Sequence, residues 1–249
     1  MLALAIASSV LMGVVLGLLG GGGSILTTPI LLYLLRMDPK EAIASSLLVV
    51  GITSFAALVP RALARDVDFK TGGLFGAATM AGAFVGGLAA GYIPAKILLS
   101  LFALMMVAAA WAMFRGPSGV SDPAHRPGHR PTALTTALQG LGVGAVTGLV
   151  GAGGGFLIVP ALTFLGGLPM KRAVGTSLFV IALNSVAGFL GHAMHVTIHP
   201  WIIAVVAAAA VLGSFAGSAL SSRVPATLLR RSFASLALLM AAVIVFRQS

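Results

Sequence analysis

Charge is nearly absent from long stretches of this chain, 1–35, 42–60, 71–95, 97–114, 132–170, 173–222 and 232–246, and the ionic side chains gather in the gaps between them. A helix needs about 20 apolar residues, at 1.5 Å each, to cross the hydrocarbon core of a bilayer. Most of these stretches hold one such helix, and the longest hold two elements. The pattern predicts an all-α integral membrane protein with helices over 42–60, 72–92, 95–114, 173–191, 200–221 and 226–246. Segments 1–35 and 132–167 each contain a glycine cluster, in "GLLGGGGSILTTP" ending at Pro29 and in "GLVGAGGGFLIVP" ending at Pro160. Each is predicted to be a helical hairpin, re-entrant or broken, with the glycines at its tip. The piece after the first tip, 25–35, would be only about 16 Å long as a helix, roughly half of a bilayer core.

The two glycine clusters belong to two copies of one unit. An offset of 131 residues lays Pro29 on Pro160 and Gly17, Gly20, Gly22 and Gly23 on Gly148, Gly151, Gly153 and Gly154. Without a gap it also lays Ser46 on Ser177, Ser54 on Ser185, Gly82 on Gly213, Gly86 on Gly217 and Phe102 on Phe233. The organisation is therefore a first transmembrane repeat, 1–114, a polar linker, 115–131, and a second repeat, 132–249. The linker, "RGPSGVSDPAHRPGHRP", has the Pro, Gly and charge of a solvent-exposed loop. A hairpin that begins and ends on one side leaves each copy with an odd number of crossings, so the second copy is inverted. That arrangement collects Arg61, Arg65, Lys70, Arg115, Arg126, Arg130, Lys171, Arg172, Arg223, Arg230 and Arg231 on one side, against Arg36, Lys40, Lys96 and Arg247 on the other. The positive-inside rule makes the first side cytoplasmic and puts both termini outside a bacterial inner membrane.

Composition narrows the class further. Of 249 residues, 59% are hydrophobic and 8% charged, with a mean hydropathy of +1.09, values foreign to a water-soluble core. The net charge of +10 does not read as a nucleic-acid surface, because Lys and Arg lie singly between apolar runs without interleaved aromatics. No basic segment precedes the first apolar run, which favours a membrane helix over a cleaved signal. Cysteine is absent, so disulfides and covalent capture of sulfur through a thiol are excluded. Asp38, Glu41, Asp66, Asp68 and Asp122 all fall in connections, so the intramembrane carboxylate typical of a cation or proton site is missing. No catalytic motif or cofactor site stands out. His192, His195 and His199 are spaced to share a helix face, but Pro200 follows at once and a loop at a helix end is the simpler reading.

Glycine clusters this rich weaken a helix, so they need a reason. Glycine admits positive φ and lets backbone N–H groups approach a ligand, and a helix N-terminus after the tip adds partial positive charge. The tips, Gly20, Gly21, Gly22, Gly23 and Ser24 in one copy and Gly151, Gly153, Gly154 and Gly155 in the other, would meet near the midplane as an anion cradle. The following helices would start at Ile25 and Phe156. Thr27, Thr28, Ser46, Ser177 and Asn184 are candidate supplements, alongside Ser45, Thr53, Ser54, Thr176 and Ser185. The spaced pairs Gly13/Gly17, Gly82/Gly86, Gly140/Gly144 and Gly213/Gly217 read instead as packing seams.

The paired motifs "GLLGGGGSILTTPILLYL…AIASSL" and "GLVGAGGGFLIVPALTFL…AVGTSL" resemble the sulfite exporter TauE/SafE family of bacterial membrane permeases. The resemblance covers the chain except its linker. It implies export of a small sulfur oxyanion or organosulfonate, with sulfite the best-known assignment, and it matches the motif glycines together with Pro29, Pro160, Ser46 and Ser177. Ser24 stands where the second copy has Gly155, so the half-sites differ. Substrate, direction of transport, ion coupling and assembly into oligomers are left open by the sequence, and an anion channel or an importer of a related small anion would share the same architecture.

Overall fold

The computed structural model describes residues 2–115, 133–150, 155–164, 166–193, 196, 199–221 and 224–248, and every regular element among them is helical. In chain order these are α1 (Leu2–Leu19), α2 (Gly22–Pro29), which runs into a single π-helical turn (Ile30–Leu34), α3 (Pro39–Leu63), α4 (Phe69–Ala90) and α5 (Ala95–Arg115). The second half contributes α6 (Ala133–Val150), α7 (Gly155–Phe164), α8 (Met170–Ala193), α9 (Pro200–Ser221) and α10 (Ala226–Gln248). Among the described residues six helices, α3, α4, α5, α8, α9 and α10, are long and apolar enough to cross a membrane. α1 and α6 carry shorter apolar segments, Ile6–Leu19 and Leu134–Val150.

Local chemistry places the ends. Asp38 accepts the Lys40 amide (3.0 Å) and Pro39 opens α3, which starts that helix three residues before the apolar run it was expected to follow. Asp68 accepts both the amide and the hydroxyl of Thr71 and caps α4. α3 ends with Arg65 at φ 57, its amide returning to the Ala62 carbonyl and the Asp66 amide to that of Arg61. Arg36 takes the same left-handed turn at φ 56, and the residue 131 positions on, Gly167, does so at φ 65.

α3 and α8 pack on each other at the centre, α5 pairs with α10, α1 lies along α9, and α4 lies along α6. Glycine lets the last two pairs approach to backbone contact. A Cβ on Gly13 or Gly17 would overlap the carbonyls of Ala210 or Ser214, and one on Gly213 or Gly217 those of Val10 or Val14. In the other pair, Gly144 and Gly148 meet Thr79 and Ala83, and Gly82 and Gly86 meet Leu141 and Ala145. Each contact maps on its counterpart by the 131-residue offset with the halves exchanged. The numbering rises together in both pairs, so α1 runs parallel to α9 and α4 parallel to α6. The outward faces carry Phe55, Leu63, Trp111, Trp201, Leu212 and Phe246, large apolar side chains suited to lipid.

The seams are testable. Gly86→Ala is expected to lower thermal stability by about 1–3 kcal/mol, because its Cβ would enter the Ala145 carbonyl. Gly73→Ala, where nothing lies within 4 Å, should be neutral or stabilising by up to about 1 kcal/mol. Melting of the two detergent-purified variants checks the pair.

Candidate functional site

The chain breaks between α1 and α2 at Gly20 and Gly21. Gly20 lies at φ 74, its amide still bonded to the Leu16 carbonyl (2.8 Å), while Gly21 lies at φ −144. α2 therefore starts at Gly22, not Ile25, and the four glycines divide their work. Gly20 makes the left-handed turn. Gly23, one residue into α2, is a packing glycine: a Cβ there would overlap Leu16 and approach the Met12 carbonyl (2.6 Å). α7 likewise starts at Gly155, one residue before the expected Phe156. Gly151, Gly153 and Gly154 lie outside the described residues, as does His195.

The first tip rests on the central helix of the other half. Ser177 Oγ is 3.3 Å from the Gly20 carbonyl and donates to that of Val174 (2.8 Å), and a Cβ on Gly20 would come within 2.7 Å of both Ser177 Oγ and the Val174 oxygen. Just beyond, the loop between α3 and α4 is seated on α8. The Asp68 amide donates to Thr176 Oγ1 (2.9 Å), and a Cβ on Gly175 would run into the Asp66 carbonyl. The structure thus brings Gly20 to Ser177 across 157 positions of sequence and Asp68 to Thr176 across 108.

Other candidate hydroxyls are already engaged. Thr27 Oγ1 lies 3.1 Å from the Gly23 carbonyl and 2.9 Å from Met12 Sδ, which ties α2 to α1. Thr28 donates to Ser46 (3.2 Å) and Ser46 to the Ile43 carbonyl (2.7 Å), which ties α2 to α3. Asn184, fully buried on α8, donates through Nδ2 to Thr147 Oγ1 (3.1 Å). Thr147 spends its own proton on the Gly144 carbonyl, which fixes the amide orientation and leaves Asn184 Oδ1 an acceptor without a donor. Buried Ser45, Ser54 and Ser185 hydroxyls are also unpartnered. Thr53, the counterpart of Asn184, bonds back to the Val49 carbonyl (2.7 Å). The backbone of Ser24 belongs to α2.

Arg61 is the residue that sequence reasoning misplaced. Its run of neighbours put it with the connections, yet it sits in the last turn of α3 and is 3% exposed. Nη2 donates to the Gly17 carbonyl (3.1 Å), in the last turn of α1 before the break, so the guanidinium reaches the tip. Nη1 is 3.8 Å from Asp66 Oδ2, an ion pair longer than a hydrogen bond, and Nε has no partner. The signal in the sequence was a helix of 25 residues whose end carries one arginine. Length alone does not say whether that side chain turns out or in.

The opposite end of α3 closes differently. Lys40 Nζ donates to the Gly91 carbonyl (2.8 Å), and Glu41 pairs with His199 just ahead of α9. Glu41 lies far from His199 in sequence, and the fold brings the two together. His192, in the last turn of α8, is buried with Nδ1 against the Gly188 carbonyl (3.1 Å) and lines a small pocket with Lys40, Gly91 and Leu98. His192 and Arg61 are the buried basic side chains among the described residues, and the 131-residue offset lays one on the other.

Comparison with known proteins gives the family of the chain. The sequence model of the sulfite exporter TauE/SafE family matches residues 5–244. The chain is similar to a "Probable membrane transporter protein" of Xylella fastidiosa strain Temecula1, 34% identical over 246 residues covering 97% of this chain and 94% of that protein. It is also similar to the "Probable membrane transporter protein YunE" of Bacillus subtilis, 33% identical over 202 residues, 72% of this chain and 74% of the relative. A Methanocaldococcus jannaschii protein of the same description is 30% identical over 196 residues, 74% of this chain and 70% of its own length. No solved structure matches the chain significantly. With six long apolar helices among the described residues, the molecule is a multi-pass membrane protein of a transporter type.

Proposed function

This chain belongs to the sulfite exporter TauE/SafE family, and from that premise we propose that it exports small sulfur-containing anions, sulfite or organosulfonates, across the bacterial cytoplasmic membrane by alternating access. The observation that carries this reading is the break at Gly20 and Gly21, where a left-handed turn, the N-terminus of α2 and the buried Arg61 guanidinium converge beside Ser177 of the other half. A buried guanidinium held by one carbonyl at the C-terminal end of α1, close in sequence to the partial positive charge at the start of α2, suits an anion. Ordinary lipid-facing packing needs neither.

The inverted-repeat reading draws support from the course of the chain. Glu41 and His199 put the starts of α3 and α9 at one end, and α1 runs parallel to α9, so α1 begins where the turn after α2 feeds α3. A first segment that leaves and returns at one side gives 1–114 an odd number of crossings, and the repeat 132–249 would then be inverted around the linker 115–131. Arg65, Lys70, Lys171 and Arg172 fall at the other end, which the positive-inside rule makes cytoplasmic, leaving both termini outside. Rocking of one repeat against the other around the paired tips is the motion such architectures use. An inside-negative potential assists anion export by roughly 2.3 kcal/mol per charge per 100 mV, so no coupling ion is needed.

The test is sulfite efflux from loaded proteoliposomes under an imposed potential, with sulfate, thiosulfate, sulfoacetate and acetate as competitors. Saturable efflux, faster when the inside is negative and competed by sulfoacetate, is the expected result. Flux linear in the gradient and without counter-flow stimulation would make the protein a channel, and no anion flux at all would overturn the reading.

A further inference from the structure

We infer that Arg61 is the charge partner of the transported anion, and that Asp66 is its resting counter-ion, which the anion displaces. This rests on the anion-carrier reading above and adds to it a binding residue and the counter-ion that holds its place. A buried guanidinium carries a desolvation cost that only close, hydrogen-bonded partners repay. Arg61 has few of them: one carbonyl at 3.1 Å, a carboxylate at 3.8 Å, and an Nε with none. Its donors form a planar fork that suits two oxygens of one oxyanion, an arrangement that Asp66 at this distance does not satisfy.

The placement of Asp66 explains why its hold is loose. The carboxylate is about one-third exposed, on a loop whose conformation is set by other contacts: the Asp66 amide on the Arg61 carbonyl (3.1 Å), the Asp68 amide on Thr176 (2.9 Å) and the left-handed Arg65. The backbone there can stay in place while the side chain swings to solvent. Arg61 is then left with free donors beside Gly17, in the last turn of α1, three residues before the Gly20 turn on which Ser177 of α8 rests. Asp66 thus stands in for the substrate when none is bound. A structural ion pair and a displaceable counter-ion differ in sign: removing Asp66 weakens the first and frees the second.

The experiment measures melting of the purified full-length protein in detergent against sulfite, sulfate, acetate and chloride, for the parent, Arg61→Gln, Arg61→Lys and Asp66→Asn. For Asp66→Asn, a lower melting temperature without anion, recovery with sulfite, and half-saturation at about a threefold lower concentration or less are expected. Arg61→Gln should raise that concentration at least about tenfold, with Arg61→Lys in between. Arg61→Gln with the parent's anion dependence would overturn the proposal and leave the carrier reading standing. So would Asp66→Asn binding sulfite more weakly than the parent, which decides the matter even if Arg61→Gln does not fold. A parent protein that no anion stabilises would overturn the carrier reading itself, and the proposal with it.

Discussion

Gly20→Ala is expected to abolish most transport, while Gly167→Ala leaves it nearly intact. Both residues hold left-handed backbone, at φ 74 and φ 65, so an added Cβ costs each about 1–2 kcal/mol of strain. Their surroundings separate them. Nothing lies within 4 Å of a Cβ on Gly167, but one on Gly20 would come within 2.7 Å of the Val174 carbonyl and 2.9 Å of its Cα. Those atoms are backbone of α8, a central helix that cannot retreat locally, so overpacking adds roughly another 1–3 kcal/mol. Relief then requires the tip to lift off Ser177 or the two halves to part, and either changes the geometry in which Arg61 meets the break. Sulfite efflux from proteoliposomes and melting in detergent check the pair together. A Gly20→Ala protein that transports like Gly167→Ala would remove the first tip from the mechanism.

The glycine cluster also marks where sequence reading reached its limit. Four adjacent glycines look alike in composition, and the sequence assigned them one job, a flexible cradle. The structure separates a backbone that needs positive φ at Gly20 from a close approach of two helices at Gly23, needs that the same residue type meets for different physical reasons. The six long helices were legible because hydropathy records what a bilayer demands, and their ends moved by only a few residues where a cap such as Asp38 extends the helix into polar sequence. The spaced glycine pairs were legible as packing seams too, but which helices they join, α1 with α9 and α4 with α6, came from the structure. Arg61 was not. A cation at the end of an apolar run reads the same whether it reaches outward to lipid head groups or inward to a carbonyl, and only the neighbouring helices decide. The pairing of Glu41 with His199, 158 residues apart, was equally beyond any local pattern.

Replacing Thr147 by Leu should destabilise the protein, and adding Asn184→Thr should restore its stability without restoring transport. Thr147 is the acceptor for Asn184 Nδ2, so Thr147→Leu leaves both polar atoms of a fully buried amide unpaired, at about 1–3 kcal/mol. The first half shows how the same place is filled without an amide. There Leu16 stands for Thr147, fully buried against the packing glycine Gly23, and Thr53 stands for Asn184 with its hydroxyl returned to the Val49 carbonyl. The double variant therefore copies a combination this fold already uses, and the hydroxyl that Asn184→Thr introduces would find the Val180 carbonyl one turn back. The two substitutions should be non-additive in a double-mutant cycle by about the cost of the orphaned amide. Transport is the second readout. The unpaired Oδ1 of Asn184 lies on α8 about two turns from Ser177, an acceptor that has no counterpart in the first half. An anion with a proton to donate, such as hydrogen sulfite, would use that acceptor where a fully ionised one would not. Restored stability with lost sulfite flux would make Asn184 a substrate contact, and full recovery of both would make the Asn184–Thr147 pair a packing detail of the second repeat.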